Sequence, residues 1–87
     1  EKFELFQNYP NPFNPVTIIK YEFRITNDVK IKVYDILGTE VSTLINEKQE
    51  AGSYEVEFDG SRFAGGVYFY RIDSGEFSQT KRMMLIK

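Results

Sequence analysis

The chain has 87 residues, no cysteine, no histidine and a formal net charge of −2. Disulfides, thiolate or imidazole metal sites and the usual histidine- or cysteine-based nucleophile pairings are therefore excluded, and packing alone must hold one small domain together. Basic residues are scattered among carboxylates, which argues against a nucleic-acid binder, and no apolar run approaches the roughly 20 residues that cross a bilayer as a helix.

The first residues, EKFELFQ, lack the features of a signal peptide, and the chain starts at Glu1. It reads as a piece of a longer protein whose targeting signal lies upstream, with residues 1–8 the end of a linker and residues 9–87 a single domain. All three prolines fall in YPNPFNP, residues 9–15. Pro12 and Pro15 fix φ near −65° and push Asn11 and Asn14 out of the helical region, so this stretch is extended, with Asx turns. Lacking three N–H donors, it suits a sheet edge and not a central strand. Tyr9 and Phe13 offer rings to anchor it on the core. A PxxP ligand reading of residues 12–15 is weaker, since no basic residue lies nearby before Lys20.

From Val16 the sequence alternates. VTIIKYEFRI, residues 16–25, places Thr17, Ile19, Tyr21, Phe23 and Ile25 on one face and Ile18, Lys20, Glu22 and Arg24 on the other, the period of a half-buried strand. Thr26, Asn27 and Asp28 make a turn. Val29, Ile31 and Val33 then face inward against Lys30, Lys32 and Tyr34. Gly38 supplies the positive φ of a hairpin spanning residues 29–46. A polar loop covers residues 47–52, SYEVEF points Tyr54, Val56 and Phe58 inward, and residues 59–61 turn again. Residues 67–73 form a strand after Gly65 and Gly66. Residues 74–76 turn into a last strand, whose core face is either Met83 and Leu85 or Met84 and Ile86. Six to seven short antiparallel strands without a helix predict an all-β, immunoglobulin-like antiparallel β-sandwich. An oligonucleotide-binding barrel fits less well, because nothing between Leu44 and Tyr54 is long enough for its helix.

Little here suits catalysis, and the chain reads as non-enzymatic with no cofactor. Calcium, which takes oxygen ligands, has candidates in Asp28, Asp59 and Asp73, but no spacing supports a site. Tyr34, Tyr68 and Tyr70 are candidate stacking rings for a carbohydrate, against the alternative that Tyr68 and Tyr70 lie on a central strand. Exposed sheet edges leave open self-association into a filament.

The ordered set YPNPFNPVTIIKYEF, KIKVYDILGTEVSTLI, AGSYEVEFDGSRFAGGVYFYRI and TKRMMLIK closely resembles the type A C-terminal sorting domain of type IX secretion substrates in Bacteroidetes and related phyla. The family's landmarks fall on Tyr9, Pro10, Asn11, Pro12, Phe13, Asn14 and Pro15, on Val33, Tyr34, Asp35 and Gly38, on Ala51 and Gly52, on Gly66 to Phe69 including Tyr68, and on Lys81, Arg82 and Lys87. One departure is Phe-Arg-Ile-Thr-Asn at the end of the first long strand, where members often carry Leu-Pro. The resemblance implies a module at the C-terminus of an exported cargo, recognised in the periplasm by the outer-membrane translocon and its shuttle proteins, with the cargo ending on the cell surface or in the medium. Lys81, Arg82 and Lys87 are the candidate recognition residues, and the last strand is a candidate for pairing with a receptor strand. A similar sandwich in flagellar hook-capping proteins implies the rival role of a structural scaffold.

Overall fold

In the computed structural model, which describes residues 3–87, the alternation becomes seven strands: β1 (Phe3–Leu5), β2 (Val16–Phe23), β3 (Asn27–Tyr34), β4 (Glu40–Gln49), β5 (Gly52–Asp59), β6 (Gly66–Ser74) and β7 (Phe77–Leu85). They form two antiparallel sheets in the orders β1-β2-β5 and β4-β3-β6-β7. The chain is an immunoglobulin-like sandwich in which β4 stays beside β3 and does not cross to the first sheet as in the constant-type domain.

The inner faces of β2 and β3 are those the alternation predicts; on β6, where the sequence offers two apolar faces, the structure turns the one carrying Tyr68, Tyr70 and Ile72 inward. Thr17, Ile19, Tyr21 and Phe23 of β2, Val29, Ile31 and Val33 of β3, and Tyr68, Tyr70 and Ile72 of β6 are all buried. Met83 and Leu85 are the core pair of β7, while Met84 and Ile86 are exposed. β6 lies between β3 and β7, so the rings of Tyr68 and Tyr70 are core and the carbohydrate-stacking role weighed for them is lost. Both ends of the core are aromatic. Phe3 stacks on Phe23 at 5.6 Å and on Phe77 of the opposite sheet at 5.0 Å, while Phe58 packs between Phe13 at 5.9 Å and Phe63 at 5.7 Å. Two tyrosines near strand starts donate to carbonyls four residues upstream: Tyr54 to Glu50 and Tyr68 to Ala64, both at 2.6 Å. The second is the tyrosine corner of immunoglobulin-like folds.

Four expectations are corrected. Ile25 is exposed, because β2 ends at Phe23 where its pairing with Gly52 ends. The loop assigned to residues 47–52 is mostly strand: Glu47, Lys48 and Gln49 pair with Val29, Asp28 and Asn27. Glu47 and Lys48 are exposed at the sheet edge, and Gln49 is buried where its Oε1 accepts the Tyr21 hydroxyl at 2.9 Å. Residues 3–8 are not linker. Phe3 and Leu5 are buried in β1, whose register on β2 runs Phe3↔Phe23 to Leu5↔Tyr21, and burying two large apolar side chains outweighs the cost of ordering a short strand; Glu1 and Lys2 lie outside the described residues. Tyr9 is no anchor, since its ring is 80% exposed.

The β3–β4 turn is tightly fixed. The Asp35 carboxylate accepts the N–H groups of Leu37 at 2.9 Å and Thr39 at 3.0 Å, and Gly38 takes φ +86°. Across β4 the register slips twice, leaving Leu44 and Val41 as extra residues in bulges that turn Val41, Leu44 and Ile45 onto the core.

Ile31 has no exposed surface and sits on β3, which pairs with β4 and β6. Ile31→Ala should lower unfolding free energy by about 2–5 kcal/mol, read as a fall in the urea midpoint at unchanged slope.

Candidate functional site: the proline-rich crossing and the face beside it

The opening segment changes sheets. Along β2, the Phe6 N–H donates to the Lys20 carbonyl and Tyr9 and Ile18 exchange backbone bonds, each at 3.0 Å. The chain bends through residues 10–12, where proline cannot donate to a ladder. It then meets the other sheet: the Phe13 N–H donates to the Met84 carbonyl at 2.9 Å and the Ile86 N–H to the Phe13 carbonyl at 2.8 Å, a parallel bridge beside Leu85. Phe13 is 1% exposed against Phe58. The Pro15 carbonyl closes the motif by accepting the Gly60 N–H at 2.8 Å. Asn14 is exposed.

Under the crossing lies a buried polar cluster. The Tyr70 hydroxyl accepts the Asn8 N–H at 2.7 Å and donates to the Phe6 carbonyl at 2.6 Å. The Asn8 Nδ2 donates to Thr17 Oγ1 at 3.0 Å and to the Pro10 carbonyl at 3.2 Å, which also accepts the Thr17 hydroxyl at 2.8 Å. Gln7 donates through Nε2 to Asn8 Oδ1 and to the Arg82 carbonyl, both at 2.7 Å. Asn8, Thr17 and Tyr70 are at most 2% exposed, so three elements share one satisfied network in a region where an unpaired group is costly. Burial pushes the Tyr70 hydroxyl up to about 12, against the opposing pull of the Asn8 N–H. Sequence reading missed this cluster; its one signal was Thr17, a hydroxyl on an otherwise apolar face.

The crossing decides what the last strand can offer. The Arg82 carbonyl, both backbone groups of Met84 and the Ile86 N–H are taken by Gln7, Asn11, Phe13 and again Phe13; the Met84 N–H goes to Asn11 Oδ1 at 3.0 Å. Strand pairing by a receptor along this part of β7 is therefore blocked by the domain's own opening segment. The three cations do not converge. Lys81 is half-buried on the core side of β7, Arg82 points outward from the opposite face, and the Lys87 Nζ donates to the Ser61 carbonyl at 2.6 Å.

What remains open is the outer face of the four-stranded sheet. One cross-strand row runs Glu40, Tyr34, Phe69, Arg82, with Val67 and Met84 paired beside it. The next row holds Lys32 and Arg71, and the one after it Lys30 and Asp73. Tyr34, Val67 and Phe69 are half-buried and Met84 is exposed, giving an apolar corner beside four cations. Of the carboxylates on this face, Glu40 pairs with Lys32 and Asp73 with Arg71, each at 3.1 Å, while Asp28 lies at its far end beyond Lys30. The Thr43 hydroxyl first and the Lys32 ammonium second hold Glu40 below the usual carboxylate range. The outer face of the other sheet carries Glu4, Glu22, Glu55 and Glu57 with Lys20, so the two faces differ in sign. Gly52 and Gly66 open β5 and β6 and take no part in either face. Asp59 accepts the Ser61 N–H at 2.9 Å, which is the main cause holding it below its ordinary range. Asp28 and Asp73 line a shallow depression with Lys30 between them in sequence, and among the described residues no three carboxylates converge as a cation site would need.

An all-β immunoglobulin-like module with a sheet-crossing, proline-rich start is the class that fold and site define. The chain belongs to the secretion system C-terminal sorting domain family, whose model matches residues 7–87. Among solved structures it is similar to dimeric latent PorU from Porphyromonas gingivalis, at 20% identity and a TM-score of 0.73, covering 97% of this chain and 9% of that one; this likeness concerns the fold. No curated protein matches the chain.

Tyr70→Phe removes the hydroxyl and leaves the buried Asn8 N–H without its acceptor, at a cost of about 1–3 kcal/mol. The unfolded phenol ionises near 10 and the folded one near 12, so its share of stability is complete below pH 10 and lost as pH rises through 12. Urea midpoints should fall over that range more steeply in the parent domain than in Tyr70→Phe.

Proposed function

We propose that the folded sandwich is a non-catalytic export signal that directs an attached cargo through the type IX outer-membrane translocon, passing from periplasm to cell surface or medium. Family membership supports the sorting role. The observation that carries the mechanism is the capped β7 edge: Arg82, Met84 and Ile86 spend their outward backbone groups on residues 7–13. Recognition is then by side chains on a finished surface, and the face that collects the family landmarks Tyr34, Phe69 and Arg82 in one row is the outer face of the four-stranded sheet. An apolar corner beside cations selects a partner surface that is apolar with an acidic margin. Arg82 supplies charge, Phe69 and Tyr34 contact area, and Lys81 and Lys87 support the terminus without meeting the partner.

The test is a reporter fused ahead of residues 1–87, behind a periplasmic signal peptide, in a type IX host and in its translocon-deficient mutant. Export should occur only in the intact host and should fall about tenfold or more for Phe69→Ala/Arg82→Glu, with thermal melting of the isolated variant close to that of the parent. Undiminished export of this variant would remove the proposed face. A reporter periplasmic in both hosts would remove the sorting role itself.

A further inference from the structure

The four sheet edges are not treated alike. β1 has three residues, β4 is broken by two bulges, and β7 is covered along its second half by the opening segment. Short length, bulges and cover close an edge to any other chain, while charged side chains close it to chains of like charge. β5 has only the last, in Glu55, Glu57 and Asp59. It is eight residues long, keeps unbroken register with β2 from Gly52↔Phe23 to Asp59↔Val16, and ends its sheet.

Its free backbone groups can be assigned. The Gly60 N–H donates to Pro15, and on the far side of β2 it is Ile18 and Lys20 that bond residues 6–9. With the antiparallel alternation, the even-numbered residues of β5 therefore bond β2, and Ser53, Glu55, Glu57 and Asp59 turn N–H and C=O outward. These residues put their side chains on the outer face, where Glu55 and Glu57 are exposed and belong to no ion pair among the described residues. Between them Tyr54 and Val56 are half-buried at the margin of the core.

We propose that the β5 edge binds an extended polypeptide segment of another protein, one that alternates Lys or Arg with aliphatic residues and adds as a fourth strand to the β1-β2-β5 sheet. Backbone bonds to residues 53, 55, 57 and 59 supply the pairing. The basic side chains fall opposite Glu55 and Glu57, and the aliphatic ones cover Tyr54 and Val56. A second copy of the domain is the wrong occupant: two β5 edges paired antiparallel about Val56 set Glu55 of each against Glu57 of the other, a like-charge pairing that destabilises. This inference stands apart from the export role and concerns the opposite face.

The test uses an isotope-labelled domain and a synthetic peptide of alternating Lys and Val, with a same-composition peptide in which the lysines form one block. The alternating peptide should bind and slow amide exchange at Ser53, Glu55, Glu57 and Asp59, with the block peptide about tenfold weaker. Glu55→Lys/Glu57→Lys should abolish binding through charge. Glu57→Pro should abolish it by removing one outward donor, leaving the β2 ladder intact. Absence of binding at millimolar peptide, binding without protection of those four amides, equal binding of the block peptide, or self-association of the free domain through β5 would each overturn the proposal. Wild-type amide exchange decides it even where a variant fails to fold.

Discussion

The Tyr70 hydroxyl has no contact with water and must be satisfied inside the protein. Its acceptor and its donor both come from the opening segment, more than 60 residues away in sequence. Detaching that segment would orphan Tyr70, Thr17 and Asn8 together, empty the Phe13 position against Phe58, and uncover the edge of β7. These costs arise at once, so the segment cannot peel off gradually, and its docking is one event with closure of the sandwich. The prolines fit this arrangement because the stretch they occupy belongs to neither sheet: it must bend between two ladders, and missing N–H groups do no harm there.

Closure of the sandwich leaves an object with unlike faces. On one side lies an apolar corner among cations, on the other a row of carboxylates, and around the rim one regular edge among three blunted ones. With a net charge of only −2, this polarity is a matter of distribution and not of composition. It orients the domain toward partners of opposite sign without attracting them from every side.

The inner faces of β2 and β3 were readable in the sequence because each alternates apolar with polar residues, whereas β6 is apolar on both faces and its parity shows only in the structure. Phe13 was readable as an anchor because a large ring in a proline-rich stretch has few other uses. Other features failed for reasons that are physical. Phe3-Glu4-Leu5 is too short to show a period, and only its distant partner Tyr21 makes it a strand. Asn8 and Gln7 look like loop residues until their acceptors are known. Tyr9 and Phe13 are both aromatic, yet Tyr9 faces water because it pairs with Ile18 of the outer face of β2, while Phe13 pairs beside the buried Leu85. The last seven residues show how much rests on parity: once Met83 and Leu85 are inside, Arg82 must be outside and Lys81 must not, which separates two adjacent cations that the sequence presents as a pair.

The parallel bridge between Phe13 and β7 has a mechanical meaning. Two neighbouring strands running the same way place the point where the chain enters and the point where it leaves at opposite ends of the pair. Tension between those points runs along the strands, so the Phe13–Met84 and Ile86–Phe13 bonds, with the side-chain ties from Gln7 and Asn11, are loaded lengthwise and together. They must fail collectively, where an antiparallel hairpin would open one bond at a time. Seen this way, the domain is a shear clamp: whatever is joined ahead of β1 can be dragged by a grip on the last strand before the sandwich itself gives way.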